Sequence, residues 1–287
     1  MNYGMEEDRK AGRIAIGLVL VLVVGGGAWW YWQRSQSAAE PAAVAIEDEV
    51  ATVGELPDAE PAPIEHPIEP VAPSTTAEAA PPADPDTAAQ QALGEVFGAT
   101  LADWLVTDQI ARRLVATVDN LPRSTSIEKI RPLRPPAAPF EVQREVIDSV
   151  GGVERLTLSD ANAARYAPLV ELLARSDAAV AVAAYRRIYP QLQSAYEDLG
   201  YPGRYFNDRL VSVIDHLLAT PEPQGPLLLE QPKVLYVYAD PDLEARSPGQ
   251  KLLLRMGVDN TRTVKKKLRE FRAQIATQAP ANNEDRE

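Results

Sequence analysis

Hydrophobic residues form one unbroken run near the N-terminus and then return only after a long polar tract. Residues 14–32 make up this run, nineteen positions without a charged side chain. As a helix rising about 1.5 Å per residue, the run would extend about 28 Å, close to the roughly 30 Å apolar thickness of a bilayer. Trp29, Trp30 and Trp32 end it, and indole rings favour the membrane–water interface. The pattern predicts a transmembrane helix over residues 14–32.

The charges that flank this run predict its orientation. Arg9, Lys10 and Arg13 precede it, whereas only Arg34 follows closely. Because cytoplasmic flanks are enriched in Lys and Arg, we expect residues 1–13 in the cytoplasm and the C-terminal part in the periplasm of a bacterium. The run exceeds the 7–15-residue core of a cleavable signal peptide, so we expect it to remain as an anchor in the lipid bilayer of the inner membrane.

Residues 33–87 have the composition of a disordered tether. They are rich in Ala, Pro and Glu, and residues 35–88 hold twelve acidic side chains and no Lys or Arg, which accounts for the net charge of −12. Such a segment cannot bury enough apolar area to offset the entropy lost on ordering. We expect a solvated His66 within it. The alternative is a proline-rich ligand for a partner domain.

Helical periodicity from about Thr87 predicts a mainly α-helical domain over residues 88–278, followed by a disordered tail over 279–287. The first helix is expected to run to Leu121. Asp177 should cap a later helix, and Pro190 should kink or break it.

Two places in this domain carry strand patterns. Residues 140–146 and 153–158 alternate apolar and polar side chains on either side of Gly151 and Gly152, which predicts a small β-hairpin. Residues 227–230 and 233–239 predict a second pair of short strands.

Composition excludes several kinds of chemistry. The chain has no cysteine, so disulfides, thiolate metal sites and cysteine nucleophiles are absent. Its two histidines, His66 and His216, leave little for a metal centre, and we predict neither a metal nor a cofactor. Beyond the tether the chain is nearly neutral, which argues against a nucleic-acid partner. Asp240 precedes Pro241 and is expected to cap a helix.

One helix carries residues typical of hydrolases. Asp208, Ser212 and His216 recur every four positions, with Asp215 beside them. Side chains spaced in this way project in parallel, whereas a catalytic triad must converge. We therefore predict a protein that is not an enzyme. The alternative is an envelope hydrolase or glycan-acting enzyme that uses Asp208, Asp215 or His216.

Tyrosines and arginines cluster in the middle of the domain. Aromatic rings interleaved with guanidinium groups can bind a peptide or a glycan through stacking and cation–π contacts. The alternative is a tyrosine-rich core edge with arginines in surface ion pairs. The candidate partner-binding residues are Arg165, Tyr166, Tyr185, Arg187, Tyr189, Arg204 and Tyr205.

The stretches YRRIYPQLQSAYEDLGYP (185–202), FNDRLVSVIDHLLATPEP (206–223) and ADPDLEARSPGQKLLLRMG (239–257) resemble domain-of-unknown-function family 3014. The similarity covers most of residues 93–276. The resemblance implies a membrane-anchored bacterial envelope protein and supplies no catalytic residues. The tether, the anchor and the absence of a catalytic constellation favour a non-enzymatic interaction or scaffold module with an envelope protein or glycan as partner.

Overall fold

The computed structural model describes residues 63–68, 84–123, 130–136, 138–148 and 153–276. The predicted transmembrane helix, most of the tether and the C-terminal tail lie outside these residues. None of the helices in the described ranges is both long enough and apolar enough to cross a membrane.

The described domain is mainly helical, as the periodicity predicts. Its helices are α1 (Pro85–Phe97), α2 (Ile110–Asn120), α3 (Ala161–Ala174), α4 (Ala178–Asp198), α5 (Phe206–Leu218), α6 (Pro241–Glu244), α7 (Pro248–Arg255) and α8 (Val258–Ile275). A short 3-10 helix, Ala99–Trp104, follows α1.

The first helical pattern forms three pieces rather than one helix. The prediction of a single helix from Thr87 to Leu121 is wrong, because the chain changes direction at Gly98 and again at Gln109. Their φ angles are 69° and 52°, in a region where an L-residue helix cannot continue. The 3-10 helix between these two positions still buries Leu101 completely, which explains why the apolar pattern looks continuous in sequence.

Both predicted strand pairs form, and together they make one sheet. Strands β1 (Val142–Asp148), β2 (Val153–Leu158), β3 (Leu228–Glu230) and β4 (Val237–Tyr238) are antiparallel in the order β1-β2-β3-β4. The two pairs join because Leu156 of β2 pairs with Leu229 of β3. A small apolar cluster beside the sheet contains Leu229, Tyr238, Leu243 and Leu254.

The main core lies among the helices. Helix α4 packs against α1, α2 and α8, and α8 also packs against α3 and α5. The apolar residues that recur at helical spacing along α8 are all buried: Val264, Leu268, Phe271 and Ile275. Helix α5 in turn packs against both α8 and α4, which together fix its position.

Helix α4 shows how packing overrides a local signal. Asp177 caps it as predicted, its carboxylate accepting the N–H groups of Ala179 and Val180. Pro190 was expected to kink or break the helix, yet α4 continues without a break to Asp198. Buried residues on both sides of the proline, Tyr189 and Leu192 among them, hold the two halves in one helix despite the lost backbone hydrogen bond.

Candidate functional site

Residues 63–68, which the sequence places in a disordered tether, lie against the first turn of α5. The carboxylate of Asp208 accepts two consecutive backbone N–H groups, from Glu65 at 3.1 Å and from His66 at 2.7 Å. The backbone bends at these two residues. A bend is required because consecutive N–H groups of a straight strand point in opposite directions, whereas a turn directs them to one anion.

Two neighbours of Asp208 complete the contact. The Asn207 amide donates to the His66 carbonyl at 2.8 Å, and the hydroxyl of Tyr205 accepts the N–H of Ile68 at 2.8 Å. We call Tyr205, Asn207 and Asp208 the α5 cradle. It binds backbone groups, so it holds a peptide largely independently of that peptide's polar side chains.

We call residues 63–68 the docked segment. The cradle accepts hydrogen bonds from its backbone N–H groups. The N–H groups of Glu65, His66 and Ile68 each have an acceptor in the cradle, and Pro67 between them has no N–H to satisfy. The Ile68 side chain is 7% exposed and belongs to the main core. His66 is half-buried, so the prediction that it is solvated is wrong. The six residues thus extend the domain.

The amide of Asn207 is fixed from inside the domain. Asn207 is fully buried. Its oxygen accepts the hydroxyl of Tyr185 at 3.0 Å, and its nitrogen also donates to the Ile275 carbonyl at 3.0 Å. Because the oxygen is engaged by a donor, the NH₂ group is the part that faces His66.

Three of the predicted tyrosines meet beneath the segment. The ring centroids of Tyr185 and Tyr189 are 5.6 Å apart, and those of Tyr189 and Tyr205 are 5.4 Å apart. Burial raises the pKa of Tyr185 well above its ordinary value, and burial, reinforced by the neighbouring Tyr205 hydroxyl, raises the pKa of Tyr189. Both phenols therefore stay protonated and act as supports, while Tyr205 touches the peptide.

The predicted arginines do not join this cluster. Arg187 forms an exposed ion pair with Glu95 at 2.7 Å, and the side chain of Arg204 is exposed next to the cradle. Arg165 lies over the ring of Tyr166, which is buried in α3. Tyr166 therefore belongs to the core edge that the sequence offered as the alternative, and it does not lie on a partner surface.

The segments that carry the family resemblance form α4, α5 and the chain from α6 to α7. A family model with the description "Protein of unknown function (DUF3014)" matches residues 110–272, more than half of the chain. The chain belongs to this family. No curated protein and no solved structure matches it. The cradle lies inside the span matched to DUF3014, and the docked segment lies before it.

The acidic and histidine candidates of the DUF3014 domain each bind a different element. Asp208 holds the docked segment, whereas Asp215 pairs with Arg272, with Oδ2 and Nη2 2.8 Å apart. His216 contacts the Ser247 hydroxyl at 2.8 Å, and that hydroxyl also caps α7. Burial is the main reason that the pKa of His216 is lowered, which favours a neutral imidazole. The three side chains do not converge on one reacting centre.

A metal site is likewise not formed by these acids. Asp240 caps α6 as predicted, accepting the N–H of Asp242 at 2.8 Å. Within the described ranges, no three metal-ligating side chains come together.

Sequence reasoning missed a buried carboxylate at the end of α2. Asp119 is 4% exposed. It accepts hydrogen bonds from Arg209 at 2.8 Å, Arg123 at 3.0 Å and the Tyr201 hydroxyl at 3.0 Å. This network ties α2 to α5 and to the loop before it, and so fixes the first turn of α5 that carries the cradle.

Proposed function

We propose that this DUF3014 protein is a single-pass protein of the bacterial inner membrane, with a periplasmic domain that acts as a non-enzymatic interaction module. The uncharged run over residues 14–32 and the basic residues before it support the anchor and its orientation. The α5 cradle supports the role of the domain, because three side chains are already arranged to bind a peptide backbone.

The decisive observation is the set of four hydrogen bonds between the cradle and residues 65–68. Three involve a peptide N–H and one a peptide carbonyl, the groups that every partner protein also presents. A side chain that binds peptide backbone is suited to holding a protein partner. Both carboxylate oxygens of Asp208 accept backbone N–H groups. This arrangement favours a binding role for Asp208 over the acid–base role of the alternative hydrolase.

The anchor and orientation are tested with a reporter fused after residue 287. An alkaline phosphatase fusion, which is active only outside the cytoplasm, should be active, and a fluorescent reporter that matures only in the cytoplasm should be dark. A matched chain with Arg9, Lys10 and Arg13 changed to Glu should lose this orientation. A fluorescent fusion of the unaltered chain would overturn the proposed topology.

The interaction role is tested by photo-crosslinking in living cells. A photoreactive residue at Arg204, which is exposed beside the cradle, should give a discrete adduct with one envelope protein. The same residue placed at Arg155, an exposed position on β2, serves as the control and should not give that adduct. If the photoreactive residue at position 204 captures glycan fragments and no protein, the proposal fails in favour of a glycan-acting role.

A further inference from the structure

We infer that the α5 cradle is a peptide site with a defined sequence preference, and that residues 65–68 of the same chain occupy it as an internal ligand. The preferred ligand is a bent segment with two residues that carry N–H groups, then a proline, then a branched aliphatic residue. This inference rests on the proposed function, since it names the partner chemistry of that same site.

The first two positions of the ligand are set by Asp208. Its two oxygens each accept one N–H, from Glu65 and His66, so proline is excluded at either position. The Glu65 side chain is exposed, and the first position therefore tolerates many residue types. The negative charge of Asp208 strengthens both hydrogen bonds.

The third position suits proline. The cradle provides acceptors for the N–H groups on either side of Pro67. Proline also fixes its own φ at about −65°, which reduces the conformational freedom that the segment loses on docking. A proline at this position costs no hydrogen bond and prepares the segment for binding.

The fourth position selects an apolar side chain. The N–H of Ile68 reaches the Tyr205 hydroxyl, and its side chain is buried among the core residues of the domain. A charged residue at this position would have to enter an apolar environment without a partner. Branched aliphatic residues fill the same space, so Val is also expected to be accepted.

One member of the cradle, Asn207, is oriented by groups outside the tether. Asn207 is fully buried, and its amide is oriented by the Tyr185 hydroxyl and the Ile275 carbonyl. Neither group belongs to the segment, so the NH₂ group faces the peptide position whether or not residues 65–68 are bound.

The internal ligand has a large advantage over a free peptide. Fifteen residues, 69–83, connect it to Asp84, the N-cap of α1. A short connection gives an effective concentration on the order of 1 mM. If a free peptide binds the open cradle with a Kd of about 0.1 mM, the internal ligand weakens its apparent affinity about tenfold.

The tether contains the same order of residue types a second time. Residues 68–71 read Ile-Glu-Pro-Val, with two N–H-bearing residues, a proline and a branched aliphatic residue. A test of internal occupancy therefore has to disable both copies.

The experiment uses the full-length chain in detergent and a fluorescent peptide with the sequence of residues 62–69, APIEHPIE. The chain carrying Ile68→Asp and Val71→Asp should bind this peptide about tenfold more tightly than the unaltered chain. Both substitutions lie outside α1 to α8, and because Ile68 belongs to the main core, circular dichroism checks that the helices of this chain persist. Adding Asp208→Asn to that chain should weaken peptide binding at least tenfold, and circular dichroism checks that its helices persist.

The matched control is the same peptide with His66→Pro, which lacks one of the two N–H groups and should bind at least tenfold more weakly. Equal binding of the two peptides would overturn the sequence preference. Equal binding of the unaltered and tether-altered chains would overturn internal occupancy. If no chain binds the peptide, the inference fails, while the reporter fusion and the Arg204 crosslink still decide the proposed function separately.

Discussion

Replacing Asp208 by Asn removes the cradle's charge while keeping its shape. The carboxylate offers an oxygen to each of the two N–H groups, from Glu65 and His66. An amide offers one oxygen and one NH₂ group, so one of the two N–H groups would face another donor. Asp208→Asn should therefore release residues 63–68 from the domain although the side chain hardly changes in size.

The size of the effect follows from these two contacts. A hydrogen bond to a charged group contributes about 1.5–3 kcal/mol when it is buried. The Glu65 contact is exposed and the His66 contact is half-buried, so we take about 2 kcal/mol for the pair together. A loss of about 2 kcal/mol lowers the ratio of docked to undocked segment about 30-fold.

Hydrogen–deuterium exchange with mass spectrometry measures this ratio directly. The tenfold competition by the internal ligand corresponds to a docked-to-undocked ratio of about ten, which Asp208→Asn lowers to about 0.3. Fragments covering residues 63–68 should therefore exchange about eightfold faster in Asp208→Asn than in the unaltered chain. Asp215→Asn is the matched control, because it makes the same change on the same helix but at the ion pair with Arg272. Equal exchange of the segment in both variants would refute the assignment of Asp208 as its anchor.

Further predictions concern stability, measured by thermal unfolding of the full-length chain. Asp119→Ala removes a buried acceptor from three partly exposed donors and should cost about 2 kcal/mol, a fall in Tm of about 4–8 °C. Glu95→Ala at an exposed ion pair should cost less than about 1 kcal/mol, and equal losses would contradict the difference in burial. Gly257→Ala should destabilise by about 1–3 kcal/mol, because φ is +81° and the new Cβ would lie 2.9 Å from another side chain. Gly94→Ala, in open space on α1, should be neutral or stabilising by up to about 1 kcal/mol, and a loss there would contradict this. The lowered pKa of His216 means that the unfolded chain binds its proton more readily, so stability should fall as pH drops below about 6.5. A His216→Gln variant should lack that part of the pH dependence, and an unchanged pH profile would contradict it.

The sequence contains local information, and the parts of the fold that depend on local chemistry are predictable from it. The caps at Asp177 and Asp240 follow from side chains that accept nearby backbone N–H groups. The buried stripe of α8 follows from helical periodicity. The break after α1 was missed because Gly98 interrupts the backbone without interrupting the apolar pattern.

The cradle could not be predicted because its contacts are remote and involve backbone groups. Asp208 was recognisable as a candidate carboxylate, but its partners are peptide N–H groups 142 and 143 positions earlier in the chain, which no side-chain pattern reveals. The composition of residues 33–87 describes the average of that tract and hides residues 63–68, which pack against the domain. Short docking segments in acidic, proline-rich tethers are therefore missed whenever disorder is inferred from composition alone.

Docking at the cradle also changes how far the domain can lie from its proposed anchor. With residues 63–68 bound, thirty residues separate Trp32 from the docked segment, and with them released, fifty-one residues separate Trp32 from Asp84. At about 3.1 Å per residue in an extended proline-rich chain, the limiting reach is about 95 Å in the first case and about 160 Å in the second. A partner peptide that displaces the internal ligand would thus bind the domain and lengthen its tether in one step. Because both effects depend on the same hydrogen bonds to Asp208, binding and reach cannot be altered independently at this site.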